Sequence, residues 1–194
     1  MAKNSKFDRI QVVDKAVDLY WEKGFYGTSM RNLQEVIDMR PGSIYAAFGS
    51  KEGLFKESLQ RYTQLGITHL EQCCNEQKSP LLGLKSFIHH IVVEKRSSSP
   101  SGMCMLVKTV TELTNENEEL LAEAKRSLKI MESEFEKVLK QAQEIGEIEK
   151  KKDTKQLAQF VQVQIAGLRT YARTVDSDLP LQIMLDNMFS HYPF

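Results

Sequence analysis

The sequence predicts an all-α protein of about nine helices, with an N-terminal helix-turn-helix head and a larger helical body. Three observations lead there. Apolar residues recur at three- and four-residue spacings over long stretches. Pro and Gly are sparse, five and ten residues out of 194, and fall between those stretches. No strand-like alternation of useful length and no Asn-Gly or Asp-Gly hairpin signal is present.

Helix 1 is expected from about Phe7 to Lys23, with Ile10, Val13, Val17 and Tyr20 on its inner face and Gly24 as its cap. Thr28 or Ser29 caps helix 2. Neither is followed three residues later by Glu or Gln, so no capping box is expected. Leu33, Val36 and Ile37 form its apolar stripe. Arg31 in its first turn opposes the helix dipole, a penalty that a bound phosphate reverses. Asp38, Met39 and Arg40 make the turn into helix 3, Pro41 to Phe48. Pro41 suits that first turn, where no N–H is needed. Ile44 and Phe48, four apart, face inward, while Gly42, Ser43, Ala46 and Ala47 leave the outside small. Such a helix suits insertion into a DNA major groove.

Ser50 caps helix 4, which carries Leu54, Phe55, Leu59 and Tyr62 toward Leu70 and links head to body. Helix 5 runs from about Leu81 to Lys95, and the loop Ser97 to Gly102 comes after it. Helix 6, Met103 to Leu113, is apolar on most sides and is expected in the middle of the body. Asn115 opens helix 7, whose Leu121, Ala124, Leu128, Met131, Phe135, Val138, Ala142 and Ile145 form a seam toward neighbouring helices. Asp153 opens helix 8, and Asp178 with Pro180 opens helix 9. The apolar surface of these last two helices needs partners on both sides, which predicts a two-fold four-helix bundle in a homodimer.

Composition sets bounds on function. The formal net charge is zero, which weighs against non-specific coating of nucleic acid and leaves room for a local basic face. No secretory signal is visible at the N-terminus, and no apolar run spans a membrane. Three cysteines, with Cys73 and Cys74 adjacent, make no disulfide framework, and the cytoplasm is the expected compartment. No Ser-His-Asp set, carboxylate pair or Gly-rich phosphate loop has usable spacing, so no enzyme activity is expected, and no cofactor or metal.

The segment Gly24-Phe25, Thr28-Ser29-Met30, Pro41-Gly42-Ser43-Ile44-Tyr45, Phe48, Lys51 and Leu54-Phe55 resembles the head of the TetR (tetracycline-repressor-like) family of transcriptional regulators. The match covers about Phe7 to Leu59, and the helical body fits the family plan. The resemblance implies a homodimer on a palindromic double-stranded operator and a small-molecule pocket in the body whose occupancy releases the DNA. It implies a DNA-binding domain over residues 1–60 and a ligand-binding and dimerisation domain over residues 61–194. Two positions depart from the pattern. Pro41 stands where relatives often carry Lys, and Ala46 and Ala47 stand where many carry bulkier polar residues. Readout then rests on fewer side chains and more on DNA shape.

By this resemblance Thr28 and Ser29 bind phosphate through hydroxyls and helix N–H groups, and Lys51 holds backbone phosphate. Arg31, Pro41, Gly42 and Ser43 complete the face, Arg40 is the candidate base or phosphate contact, and the Tyr45 phenol reaches phosphate or a base edge. In the body, Phe87, His90, Met105, Met131, Phe135 and Tyr171 are pocket candidates, although such residues at helical spacing also build ordinary cores. Cys104 is either a buried small hydrophobe or a redox or electrophile sensor whose thiol Lys108 activates. His89 and His90, about 100° apart on an α-helix, do not form a simple chelate. The alternative to an effector-released repressor is an architectural DNA-binding dimer that needs no effector.

Overall fold

A computed structural model describes residues 7–190, which form nine α-helices and, among the described residues, no strand. The order is α1 (Arg9–Lys23), α2 (Met30–Ile37), α3 (Pro41–Phe48), α4 (Lys51–Glu76), α5 (Pro80–His89), a π-helical turn (His90–Glu94), α6 (Met105–Glu112), a 3-10 turn (Asn115–Asn117), α7 (Glu118–Glu144), α8 (Thr154–Tyr171) and α9 (Leu179–Ser190). None is long and apolar enough to cross a membrane.

The caps explain the boundaries. The Asp8 carboxylate accepts from the N–H groups of Ile10 and Gln11, so α1 starts two residues later than expected from sequence. Ser29, not Thr28, caps α2. A capping box does form. The Ser29 hydroxyl accepts from Asn32 N at 3.1 Å, and the Asn32 side chain accepts from Ser29 N at 3.1 Å. Asn thus fills the role that Glu or Gln usually takes. Asp38 ends α2 in the left-handed conformation, φ 53°. Asp153 caps α8 as expected.

The contacts divide the chain into two units, each discontinuous in sequence. The first comprises Met1–Gln64 and Met105–Ser127. Its core gathers Val13, Ala16, Val17, Tyr20, Phe25, Leu33, Ile37, Ile44, Phe48, Leu54, Phe55 and Leu59. Phe55 meets Tyr20 edge-on at 4.7 Å and Phe25 at 5.1 Å between ring centroids. Asp14 of α1 receives a two-pronged pair from Arg61 of α4, at 2.6 and 3.1 Å. Ile10 and Val36, expected inside, are exposed.

The second unit comprises Leu65–Cys104 and Leu128–Phe194. Leu70, Leu84, Phe87, Ile88, Val92, Phe135, Leu139, Val161, Leu181 and Leu185 fill its core. Gly83 lets α5 approach α4 closely, since a Cβ there would lie 2.5 Å from the Cys74 Cα. Along α7, the expected seam residues Met131, Phe135, Val138 and Ala142 are buried, Leu128 is half-buried, and Ile145 is exposed beside the helix end at Gly146.

The sequence places α6 in the middle of the body. Its contacts lie instead with the end of α1, because its two charged residues find backbone partners there.

Candidate nucleic-acid interface and sensor residues

Helix α3 owes its setting to what lies beneath it. Ile44 and Phe48 are buried, so the opposite side must point outward. That outer side carries Arg40, Pro41, Gly42, Ser43, Tyr45 and Ala46, all exposed. Tyr45 is 50% exposed. A Cβ added at Gly42 would meet nothing within 4 Å, so packing within the chain does not demand glycine there.

A residue that sequence reasoning passed over pins this helix. The Arg9 guanidinium donates to the Ala47 carbonyl at 3.1 Å, pairs with Glu57 at 2.5 Å and lies 4.5 Å from the centre of the Phe48 ring. It thereby ties the last turn of α3 to α1 and α4. A lone Arg at a helix start gives no sequence signal of partners 38 and 48 residues away.

At the start of α2, Ser29 is exposed and its hydroxyl already serves the cap. Arg31 pairs with Glu35 across one helical turn, with both side chains largely in solvent. Such a pair contributes little to stability. Two expectations need correction. Thr28 is fully buried and its hydroxyl donates to the Gly24 carbonyl at 2.7 Å, so it holds the turn and cannot offer that hydroxyl to phosphate. The Lys51 ammonium lies 4.2 Å from the centre of the Phe25 ring, and burial lowers its pKa. Its charge is partly committed to the core of the head.

In the second unit, two of the expected pocket residues, Phe87 and His90, lie beside His69, which the sequence did not single out. His69 lies 4.4 Å from His90 and 5.2 Å from Phe87, and Phe87 lies 6.1 Å from Phe135. Met131 lies against Gly66, one turn earlier on α4. Two others are not there. Tyr171 is exposed on the outside of α8, and Met105 is buried in the first unit. Cys104 is half-buried. The Lys108 ammonium expected to activate it is instead donated to the carbonyls of Trp21 and Glu22.

The π turn changes the geometry of the two adjacent histidines. Lys95 N donates to His90 O at 2.9 Å, an i+5 closure that brings residues five apart to one side. His89 Nδ1 and His90 Nδ1 therefore both reach Glu94, at 3.1 and 2.8 Å. These bonds hold the Glu94 carboxyl below its usual pKa. His69 is held below the ordinary imidazole value, first by burial and then by His90.

A depressed imidazole pKa means that the folded state binds fewer protons than the unfolded chain. Stability is then fully present above the unfolded value of about 6.5 and falls as pH drops below it. The Glu94 bonds add a loss at lower pH, below about 4.5. Urea midpoints measured between these two values should decline with pH in the parent and decline less in His69→Gln. Equal slopes would mean that His69 does not cause the decline.

Known proteins share this architecture. Residues 12–58 match the model for bacterial regulatory proteins of the tetR family, and residues 80–188 match the tetracyclin repressor-like C-terminal domain. The chain is 30% identical over 168 residues to the HTH-type transcriptional repressor ComR of Escherichia coli K12, covering 86% of this chain and 80% of that protein. It is 23% identical over 180 residues to the HTH-type transcriptional regulator YezE of Bacillus subtilis, covering 92% and 93%. A cysteine mutant of the TetR family transcriptional regulator CifR, solved with 26-base-pair double-strand operator DNA, superposes with a TM-score of 0.85 at 25% identity over 98% of this chain and 100% of that one.

Proposed function

The chain belongs to the tetR family of bacterial regulatory proteins, and from that premise we propose that it is a repressor that binds a palindromic operator as a homodimer and leaves it on a signal received in the body. The outer face of α3 carries this reading. Buried Ile44 and Phe48 orient it, and Arg9 fixes its last turn. It presents one cation at Arg40, one phenol at Tyr45 and, between them, the small residues Gly42 and Ser43 that let the backbone come close to base edges. Ser29 and Arg31 supply phosphate contacts at the start of α2. Residues 1–60 serve as the DNA-binding domain and residues 61–194 as the sensing and dimerisation domain.

Dimerisation falls to α8 and α9. Helix α9 turns Leu181, Leu185 and Met188 inward, yet Leu179, Ile183 and Met184 are exposed. Val163 and Tyr171, eight residues apart on α8, are exposed as well. Apolar surface on two sides of a terminal helix pair fits a second copy of the same pair.

Selection of duplexes from a random library by the full-length protein tests the reading. The expected product has two inverted half-sites roughly 34–36 Å apart or a multiple of that. Enrichment of no sequence would overturn it. Tyr45→Ala should weaken binding to the selected duplex by about 1–3 kcal/mol, with little change in stability because the ring is half in solvent.

Gly42→Ala separates two effects of opposite sign. Open space at its Cβ predicts a free protein more stable by about 0.5–1 kcal/mol. Close approach to the groove predicts weaker operator binding. Stabilisation with unchanged affinity, read by urea titration and fluorescence anisotropy, would place Gly42 away from the DNA.

For the signal, the chain of contacts from His90 through His69 and Phe87 to Phe135, with Met131 against the neighbouring Gly66, favours a small molecule with an apolar or aromatic body. A second reading rests on Cys104, which is half-buried at the entrance to α6. Loss of operator binding on oxidation, reversed by reductant and absent in Cys104→Ser, would favour it. Binding indifferent to oxidants and to every small molecule tried would favour the architectural dimer.

A further inference from the structure

Resting on the DNA-binding reading above, we propose that Lys108 and Glu112 of α6 are positioning residues for operator recognition, holding the turn between α1 and α2 in the setting that aims α2 and α3.

The two side chains sit one helical turn apart and meet the same short stretch of backbone with opposite charges. The Lys108 ammonium donates to the carbonyls of Glu22, at 2.7 Å, and Trp21, at 3.1 Å. These lie in the last turn of α1, where carbonyls have no partner further along their own helix and a cation is favoured. The Glu112 carboxylate accepts from Tyr26 N at 2.8 Å and from Phe25 N at 3.2 Å, just past the end of the same helix. An intact helix would have carried the Phe25 N–H back to Trp21 O. Here Glu112 takes the N–H and Lys108 takes the carbonyl, so α6 supplies both halves of the bond that α1 forgoes.

Gly24 records how close this approach is. It has φ +78°, and a Cβ there would lie 2.4 Å from a Glu112 carboxylate oxygen. The Tyr26 hydroxyl adds a third tie to the same turn by meeting the Asn117 side chain.

The position of this turn matters because α2 is bonded directly to it. The buried Thr28 hydroxyl donates back to Gly24 O, and Ser29 then caps α2 through its box with Asn32. From the Glu112 carboxylate to the first turn of α2, each step is a hydrogen bond to backbone or a cap. No freely rotating linker intervenes. The face of α3 is reached eleven residues after Ser29, through α2 and its left-handed Asp38. A small rotation of the turn thus becomes a rotation of the reading face.

A purely stabilising cap and a positioning device differ in one readout. A cap lowers stability and leaves the ratio of specific to non-specific DNA affinity alone. A positioning device lowers that ratio, because loose phosphate attraction tolerates a misaimed helix and base contacts do not. The experiment uses full-length Lys108→Met, Glu112→Ala and Glu112→Gln, with a duplex selected by the parent protein and a scrambled duplex of equal length.

Lys108→Met and Glu112→Ala should each lose about tenfold or more on the selected duplex, the size expected for a lost charge-assisted contact. Binding to the scrambled duplex should stay within about twofold, since exposed phosphate-facing charges are untouched. Hydrogen exchange should speed up at the amides of Phe25 and Tyr26 and in α2. Glu112→Gln keeps the shape and one acceptor oxygen, so it should fold even where Glu112→Ala does not, and should fall between Glu112→Ala and the parent. Lower thermal stability with an unchanged affinity ratio would reduce the pair to a cap and overturn the inference. If the parent itself selects no sequence, the DNA-binding reading fails first and the inference fails with it.

Discussion

Replacing Val163 and Ile183 together by Asp should leave a folded monomer that no longer holds its operator. Both side chains are more than half in solvent, at 65% and 51% exposed, so neither change opens a cavity. Helicity and the urea midpoint should move little once the concentration dependence of the dimer is allowed for. The dimer responds differently. A two-fold interface repeats every substitution, so two changes place four carboxylates in one contact. Burying even one unpaired polar group costs about 1–3 kcal/mol, and an unpaired charge costs more.

The loss on DNA comes from the arithmetic of linked sites. One head on one half-site forfeits the effective concentration that its twin supplies, about 10²–10⁴-fold in apparent affinity. Sedimentation velocity and anisotropy on the selected duplex measure both consequences. A variant that remains dimeric would move the interface off α8 and α9. A variant that becomes monomeric yet binds as tightly as the parent would sink the palindrome instead.

Where sequence reasoning reached the structure, the signals were local. Pro41 and the Gly49-Ser50 break set the bounds of α3 from Pro41 to Phe48, because proline suits a first turn and glycine a left-handed end. Asp153 set the start of α8 for the same kind of reason. The family membership was legible because its motif lies in one continuous stretch. What escaped was decided at a distance. The partners of Lys108 lie 87 and 86 residues away, so an apolar-looking α6 was assigned to the body. Thr28 looked like a phosphate ligand because nothing in its neighbours' identity reveals that its hydroxyl is buried. The π turn closes through a backbone bond from Lys95 N to His90 O, and periodicity alone reads that stretch as plain helix. The exposed outer side of α3 was therefore readable as a list of residues, while its supports, Arg9 beneath α3 and Glu112 behind the turn, were not.

Phe55→Ala should be the most damaging single change to the head, costing about 3–5 kcal/mol. The ring is 1% exposed, so the substitution removes a large apolar side chain from a site that water does not reach. It also removes two ring contacts at once, the edge-on one to Tyr20 and the tilted one to Phe25. Each such contact adds about 0.5–1.5 kcal/mol beyond buried area. Collapse into the cavity is hindered, because the Lys51 ammonium lies over the Phe25 ring and Tyr20 is held by its hydroxyl on the Lys51 carbonyl at 3.1 Å. Tyr20→Phe provides the contrast. It deletes only that hydroxyl bond and should cost about 1 kcal/mol.

Against a total of about 5–15 kcal/mol, the first loss is enough to unfold much of the head near growth temperature, and the second is not. Urea titrations of both variants should therefore differ by more than the uncertainty of extrapolation. A cost below about 1.5 kcal/mol for Phe55→Ala would mean that the ring cluster can repack. In that case α1 and α4 could slide against each other without penalty, and the aim of α3 would depend on Arg9 and Glu112 more heavily than the packing suggests.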